Sequence, residues 1–554
     1  MRIAPKSPLS LTFLSPFALA PALITVLLLL PLLGGLGFTG AAALGWIWPS
    51  NGDSLWLIPG LRGGLMVTLI SGLGSSLVAL LSVAAFLALG WRRLKPLPQP
   101  LLAIPHAALA IGLAFLVAPT GLLTRWASPW LTGWEVPPDY IAPGDRWGLW
   151  LFAGLWIKES AFLLFMALAA LQQFPAQKLY RQAVSLGHSP VAAFWRAVWP
   201  QLWPYLRLPS LAVLAYGLST VDMARVLGPS TPPPLAVLID QGFTQSGYET
   251  QAAQAALLLS LLVLATAVLS EAVLRLWRRW QAGRLRGREA AWPLFSLALG
   301  GGALLLWLAG WLSLLALGLW SLATSWRRFD WDFPAALSLR HWQTAWQARD
   351  VWLNTVSLGL TSTGIAILLA LLALEREARR NRTMGLVASA TLYAPLLVPQ
   401  LSFLLGFAVI LARLGMNASW MAVLWAHFLF VFPYVFLTLA TAMRRLDKGL
   451  LNQGRALGLS ANKLLWRVKL PLLLRPVLAA LAIGIAVSLA QYLATRYAGA
   501  LRIDTLATEA VRRSAGRSPA LAASFALAQA AVPLLFFVLS LTLPALISAK
   551  RRDW

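Results

Sequence analysis

The chain lacks several residues and patterns on which enzymes depend. It contains no cysteine, which excludes disulfide bonds, thiolate catalysis and cysteine-ligated metals. Its four histidines stand far apart, and neither H-E-x-x-H nor the ATP-binding pattern G-x-x-x-x-G-K-[ST] occurs. No arrangement of serine, histidine and aspartate can be argued from the sequence either. We therefore expect no enzyme active site, no metal site and no bound cofactor in this chain.

Charged residues are scarce as well. They make up 12% of the 554 residues, whereas 59% are hydrophobic and the mean hydropathy is +0.71. A soluble domain cannot bury that much apolar surface. The net charge of +26 comes from short basic clusters between apolar runs, which is typical of membrane proteins rather than of nucleic-acid binders. The composition predicts a polytopic membrane protein that contacts the lipid bilayer and no nucleic acid.

Twelve apolar stretches are long enough to cross a bilayer, which takes about 20 helical residues. The first stretch is longer than the apolar core of a signal peptide and is soon followed by another, which favours an uncleaved span. The sequence thus predicts an all-α integral membrane protein with about 12 transmembrane helices. We place them at Leu11–Leu33, Gly63–Leu89, Leu101–Val117, Trp147–Ala170, Leu206–Leu227, Ala252–Leu276, Trp292–Leu322, Trp352–Leu374, Leu386–Leu411, Ala418–Ala442, Pro476–Leu493 and Leu521–Ile547.

The distribution of Lys and Arg predicts the orientation of these spans. Basic clusters fall between alternate spans, so both chain termini are expected in the cytoplasm. The last external segment departs from this rule, because it carries Arg502, Arg512, Arg513 and Arg517. A partner protein, rather than lipid, is one alternative neighbour for that cluster.

One segment of the chain occurs twice. The first copy, RQAVSLGHSPVAAFWRAVWP, spans residues 181–200, and the second, NQGRALGLSANKLLWRVKLP, spans residues 452–471. Seven identical residues recur 271 positions apart without a gap. They are Gln182, Leu186, Gly187, Ser189, Trp195, Arg196 and Pro200, followed by Gln453, Leu457, Gly458, Ser460, Trp466, Arg467 and Pro471.

Each copy is expected to form two short helices between membrane spans. The glycine can adopt the backbone angles that end a helix, and the proline can begin the next one. Between them the apolar residues follow helical spacing, which predicts one apolar face on a short helix. These residues are Val191, Phe194, Trp195 and Val198 in the first copy and Ala461, Leu464, Leu465 and Val468 in the second. Such a helix is a docking surface for lipid or for a partner protein.

The repeat extends beyond this segment. Arg225 and Gly228 match Arg496 and Gly499 at the same offset, and Pro105 and Gly112 match Pro399 and Gly406 in spacing. We predict two tandem six-span units of the same membrane orientation. Their limits are residues 1–277 and 292–554, joined by a basic cytoplasmic linker at 278–291.

Several polar or ionisable residues lie within the predicted spans, where they are costly and usually face a bundle interior or a polar cavity. One interpretation is a substrate path between the two units. The alternative is local pairing of Asp222 with Arg225 on one helix face, with Lys158 or Arg496 reaching towards the membrane surface. The candidate path residues are Lys158, Glu159, Asp222, Arg225, His427, Gln491, Thr495 and Arg496.

The duplicated segment resembles the EAA loop of bacterial ABC-importer permeases. In that family a proline follows the loop glycine at the spacing seen in Gly187–Pro200 and Gly458–Pro471. The Glu-Ala-Ala part is degraded, because Arg181 and Asn452 stand at the glutamate positions. The fused arrangement looks like the ferric-iron and thiamine branch, and residues 221–239 and 499–511 resemble its uncharacterised thiamine-type members.

The resemblance implies a type I, MetI-like permease in the bacterial inner membrane. Two copies of a separate ATPase, which would hold ATP and Mg²⁺, would each grip one loop, and a periplasmic binding protein would deliver solute. A thiamine-like cation or ferric iron is favoured, and a polyamine or phosphonate is compatible. The implied coupling residues are Gln182, Gly187, Ser189, Phe194, Trp195, Arg196, Pro200, Gln453, Gly458, Ser460, Leu465, Trp466, Arg467 and Pro471.

Within that resemblance, the glycines would act as joints, the tryptophans as apolar anchors and the arginines as polar contacts. The alternative function is a proton-coupled secondary transporter, with Lys158, Glu159 or Asp222 as the proton relay and no ATPase partner.

Overall fold

The structure of the chain is a computed structural model, and it describes residues 16–48, 55–91, 103–282, 291–326, 334, 336–516 and 518–550. The start of the first predicted span, the first two residues of the third, the linker residues 283–290 and Arg517 lie outside the described residues. The described part is predominantly helical, which confirms the all-α membrane fold.

Among its described residues, the first half of the chain contains five helical stretches long and apolar enough to cross a membrane, together with shorter helices. A π-helical turn at Leu69–Gly74 continues one helix into the next, so that Leu61–Gly90 is one span. The helices are Pro16–Ala43, Leu61–Thr68, Ser75–Gly90, His106–Val117, Leu122–Ala127, Leu149–Leu171, Ala176–Ser185, Pro190–Ala193, Trp199–Ser219, Asp222–Leu227, Leu235–Gly242 and Glu249–Ala282.

The second half follows the same order. A two-stranded antiparallel ribbon, Ala323–Ser325 with Ala336–Leu337, follows its first helix. The helices are Ala291–Leu322, Arg340–Gln347, Arg349–Arg380, Leu386–Leu397, Leu404–Arg413, Trp420–Arg444, Lys448–Ala456, Ala461–Leu464, Leu470–Leu472, Leu474–Leu489, Tyr492–Ala498, Leu506–Ser514 and Pro519–Lys550.

Among the described residues, nine helices are long and apolar enough to cross a membrane, or ten if the bent pair Ala461–Leu472 and Leu474–Leu489 counts as one span. The fifth predicted span is the more polar helix Trp199–Ser219, which starts earlier than expected because it continues directly from the duplicated loop. It ends at Ser219 because Thr220 is extended, so Asp222 and Arg225 lie on a separate short helix.

Two other predicted spans are also broken. The ninth, Leu386–Leu411, divides at Pro399, whose preceding residue Val398 is extended, as a residue before proline usually is. The eleventh, Pro476–Leu493, divides into Leu474–Leu489 and Tyr492–Ala498. Runs of apolar residues therefore locate the spans but do not reveal these breaks.

The first helix of each half packs against the other half. Pro16–Ala43 lies against Leu404–Arg413, and Ala291–Leu322 lies against Ser75–Gly90 and His106–Val117. Glycine permits both crossings: a Cβ at Gly112 would lie 2.7 Å from the carbonyl oxygen of Ser313, and one at Gly406 only 2.5 Å from that of Gly35. The matched glycines thus have the same packing role, and these crossings join the two halves through their apolar cores.

The short helices lie at two opposite ends of the bundle. The duplicated loops precede Trp199–Ser219 and Leu474–Leu489, and two short helices follow each of these spans at its far end. The last of these short helices is docked alike in both halves: Thr68 Oγ1 accepts a hydrogen bond from the Leu235 amide, and Thr355 Oγ1 accepts one from the Leu506 amide, at 2.8 and 2.9 Å.

Candidate functional site: two duplicated loops and the polar groups between the halves

The two duplicated loops have the same backbone. Gly187 and Gly458 have φ of +90° and +79°, a left-handed conformation that ends the preceding helix. Ser189 and Ser460 then cap the next helix, each side chain accepting a hydrogen bond from the amide three residues later. In both copies a four-residue helix and a five-residue π-helical turn follow. The recurring residues therefore impose the same turn twice.

A small residue is required at one further place in each loop. Ala183 and Gly454 are both buried, and a Cβ at Gly454 would lie 2.7 Å from Leu464 Cδ1. This is the third position of the degraded Glu-Ala-Ala pattern. It keeps a small residue because the helix before the glycine packs there against the helix after it.

The first loop is held against the other half by apolar contacts. Trp195 is only 3% exposed, and its Nε1 donates a hydrogen bond of 3.1 Å to Ser296 Oγ. Its ring lies 5.3 Å from that of Trp292 and 6.0 Å from that of Phe295, at the start of helix Ala291–Leu322. The side chain of Trp195 is therefore already packed within the chain, and its role as an apolar anchor for a partner stays a prediction.

The second loop is held by charged groups instead. Lys469 Nζ donates to Glu375 Oε2 at 2.7 Å, and Arg379 Nε donates to Glu375 Oε1 at 2.9 Å. Arg379 also donates to Asn462 Oδ1 in the loop at 2.7 Å. Lys469 and Glu375 are both buried, whereas Trp466 is 70% exposed. Only the second tryptophan is thus available to a partner.

The other predicted coupling residues also divide by burial. Phe194 and Leu465 are buried, and Arg196 is half-buried with its Nη1 3.2 Å from His188 Nδ1. The exposed members are Gln182, Gly187, Gln453, Gly458, Ser460, Arg467 and Pro471, while Ser189 and Pro200 are half-buried.

One recurring pair of exposed apolar side chains was missing from the predicted coupling residues. Leu186 is 80% exposed and Leu457 is 83% exposed, each directly before the loop glycine. The recurrence of an exposed leucine at the same place in both loops makes this pair a candidate contact surface. Their recurrence in the sequence was the available signal.

The polar residues of the predicted path form three separate groups. The first lies in the first half and includes Lys158 and Glu159, both buried. Lys158 Nζ donates to the Ile104 carbonyl at 2.5 Å, and Glu159 Oε1 lies 3.2 Å from His106 Nε2. Lys158 therefore does not extend to the membrane surface.

Asp222 belongs to this same group. Its Oδ1 accepts hydrogen bonds from Tyr216 Oη at 3.0 Å and from Thr220 Oγ1 at 2.8 Å. The Tyr216 ring lies 4.3 Å from that of His106, which links Asp222 to Glu159 through two aromatic side chains. No arginine pairs with Asp222 among the described residues, so the expected Asp222–Arg225 pair is wrong.

The second group is neutral and lies in the second half. His427 Nδ1 is 2.7 Å from Ser488 Oγ, and His427 Nε2 is 2.8 Å from Thr495 Oγ1. Gln491, between the helices Leu474–Leu489 and Tyr492–Ala498, donates to the Val487 carbonyl of the first. His427 stands where Lys158 stands in the first half, so the two halves place different chemistry at corresponding positions.

The third group lies at the end of the bundle opposite the duplicated loops. Arg225 and Arg496 both donate to Asp240 Oδ2, and Tyr497 Oη donates to Asp240 Oδ1 at 3.1 Å. Asp240 was missing from the predicted path. Its signal in the sequence is an acid at the end of the apolar run Leu235–Ile239. His106 and Tyr216 were missed because they become relevant only through contacts distant in sequence.

Two members of the external arginine cluster are paired with acidic residues within the chain. Arg512 and Arg513 both pair with Glu509 of their own helix, and Arg512 also approaches Asp504 at 3.5 Å. This pairing explains, without a partner protein, why these two arginines lie in an external segment, against the rule that basic residues favour the cytoplasmic side.

Within the described residues, no group of three or more His, Asp or Glu side chains is arranged to hold a metal ion.

Comparison with known proteins gives one family. The family model of the binding-protein-dependent transport system inner membrane component matches residues 362–552. The chain is 36% identical over 501 residues to the inner membrane ABC transporter permease protein YnjC of Escherichia coli (strain K12), covering 88% of this chain and 89% of that relative.

Two further relatives match shorter regions. The putative 2-aminoethylphosphonate transport system permease protein PhnV of Salmonella typhimurium is 29% identical over 169 residues, 29% of this chain and 63% of its own. The spermidine/putrescine transport system permease protein PotC homolog of Mycoplasma pneumoniae is 27% identical over 147 residues, 26% of this chain and 51% of its own. With these matches and its apolar helices, the chain belongs to the multi-pass inner-membrane permeases of binding-protein-dependent ABC transporters.

Proposed function

We propose that the chain is a two-unit permease, in which each duplicated loop engages one copy of a separate ATPase. The observation that carries this proposal is the recurrence of one loop backbone at the same end of the bundle, with Leu186 and Leu457 protruding in the same way. A partner with two identical subunits would meet the same leucine twice. ATP and Mg²⁺ would be held by that partner, and both loops, with the chain termini, would lie in the cytoplasm.

The tethering of each loop suggests how a partner would move the permease. The first loop is packed against helix Ala291–Leu322 of the other half, and the second is paired with Glu375 of helix Arg349–Arg380. Each loop also continues into a span that leads to the opposite end of the bundle. A displacement of a loop would therefore be transmitted to both ends of the permease without any chemistry in this chain.

The charge of the first polar group favours a cationic solute. Glu159 and Asp222 supply two carboxylates, and Lys158 beside them supplies one ammonium group, so one positive charge would balance the group. The rings of His106 and Tyr216 between the carboxylates add apolar faces. A thiamine-like cation, delivered by a binding protein, fits this balance, whereas the three positive charges of ferric iron exceed it.

The first test is affinity purification of the detergent-solubilised chain from its own host, with bound proteins identified by mass spectrometry. The proposal predicts recovery of an ABC ATPase, and a loss of at least about tenfold in the Leu186→Ala, Leu457→Ala double variant, since each leucine would contribute about 1.5–3 kcal/mol when docking buries it. The matched control is Leu264→Ala, a lipid-facing leucine 60% exposed on helix Glu249–Ala282.

Recovery of the ATPase at wild-type level by the double variant would contradict the docking proposal. Solute accumulation driven by a proton gradient without any ATPase would favour the secondary transporter. In that case Glu159 and Asp222, which hydrogen-bond to the contacting rings of His106 and Tyr216, would be candidate members of the proton relay.

A further inference from the structure

Asp240 is completely buried and is shared by two arginines. It lies on helix Leu235–Gly242 of the first half, 0% exposed. Arg225 reaches it from the first half, and Arg496 and Tyr497 reach it from the second. Asp240 therefore joins the two halves through a charged contact, whereas the crossings of their first helices are apolar.

The arrangement is asymmetric although its arginines are equivalent. Arg225 and Arg496 stand 271 positions apart, as the duplicated loops do. The position equivalent to Asp240 is Val511, which is buried and apolar. One carboxylate thus serves both arginines, and the charged contact between the halves at this point depends on that single residue.

The position of the contact relates it to the duplicated loops. Arg225 and Arg496 lie on the short helices Asp222–Leu227 and Tyr492–Ala498, which follow the two spans that the loops enter. Both arginines therefore lie at the ends of those spans that are opposite the duplicated loops. If the halves separate at this end, Arg496 and Tyr497 must leave Asp240, while Arg225 can stay because it belongs to the same half.

We propose that Asp240 is a latch that holds the two halves together at the end opposite the duplicated loops. The latch is closed in this structure. Opening a solute path at that end breaks the Arg496–Asp240 contact and leaves the carboxylate with Arg225 alone. A buried carboxylate that loses a charged partner is strongly disfavoured, so the latch biases the permease towards the state that is closed at this end. The inference rests on the proposed two-unit arrangement but does not depend on the ATPase.

The absence of cysteine makes this latch directly measurable. A single cysteine introduced as Val511→Cys would report on the buried position equivalent to Asp240, in a helix that packs against Asp222–Leu227. The measurement is the rate at which a membrane-impermeant maleimide labels this cysteine in proteoliposomes containing the full chain alone. Leu501→Cys, at an exposed position, serves as the reference for reagent access.

Arg496→Gln should raise the labelling rate about tenfold or more, since loss of a buried charged contact changes a two-state population by at least that factor. Arg225→Gln is the matched control at the equivalent position and should raise the rate less than about threefold, because the contact across the halves remains. Asp240→Asn should behave like Arg496→Gln, and Asp240→Glu should keep most of the wild-type protection.

Equal labelling of Arg496→Gln and wild type would overturn the latch. So would an equal rise for Arg225→Gln and Arg496→Gln, since that result would show a general structural role for Asp240. If Asp240→Asn does not yield folded protein, the two arginine variants still decide the question. Failure of ATPase recovery in the purification experiment would leave these labelling rates unchanged, so the two proposals fail separately.

Discussion

The two duplicated loops share one backbone but are held in place by opposite kinds of contact. The first buries Trp195 against Trp292 and Ser296, and the second leaves Trp466 exposed and pairs Lys469 with Glu375. Val198, the counterpart of Lys469, is buried and apolar. The residues that shape the turn are therefore repeated, whereas the residues that attach the turn to the bundle have diverged. Identical residues at equivalent positions do not imply identical roles.

The largest expected effect is on the apolar attachment. Trp195→Ala should destabilise the protein by about 3–5 kcal/mol, because it empties a packed site and removes a buried hydrogen bond. Trp466→Ala should change stability by less than about 0.5 kcal/mol, because the side chain is exposed. Thermal unfolding of the two variants in detergent measures the difference. Equal losses of stability would show that the attachments are not different.

A smaller effect is expected at the charged attachment. Lys469→Met should cost about 1–3 kcal/mol, since Glu375 would lose one partner but keep Arg379. Combining it with Glu375→Leu should recover much of that loss, because no buried charge would then lack a partner. Denaturant titration of the single and double variants checks this. A double variant less stable than the single one would indicate that the pair itself is a net source of stability.

The smallest effect should be the same in both loops. Gly187→Ala and Gly458→Ala each place a side chain at positive φ, which costs about 1–2 kcal/mol, and neither new methyl group meets a neighbour. Equal shifts in melting temperature are expected. A clear difference between the two would mean that the loops do not share their backbone conformation in the membrane.

The sequence predicted the parts of this fold that depend on local pattern. The duplicated glycine, serine and proline specify a turn by their own backbone and capping chemistry, so the loops could be located at residues 181–200 and 452–471. Apolar runs located the spans for the same reason. The interruptions at Thr220 and Gln491 escaped prediction because apolar composition continues through them.

Contacts distant in sequence could not be predicted from such patterns. The burial of Trp195 depends on helix Ala291–Leu322 of the other half, and its equivalent Trp466 is exposed despite the same local sequence. The pairing of Arg225 with Asp240 rather than Asp222 depends on how two short helices fold back on each other. The i, i+3 spacing suggested Asp222 as the partner of Arg225, because such spacing reports only on neighbours within one helix and Asp240 lies on another.

The central claim is that this permease is driven by a separate ATPase through both loops. The most direct measurement is solute uptake into proteoliposomes containing the chain, its co-purified ATPase and its binding protein, with ATP supplied and no proton gradient imposed. The account predicts uptake that requires ATP and binding protein and is lost in the Leu186→Ala, Leu457→Ala double variant. Uptake by the chain alone under a proton gradient, undiminished in that variant, would contradict it.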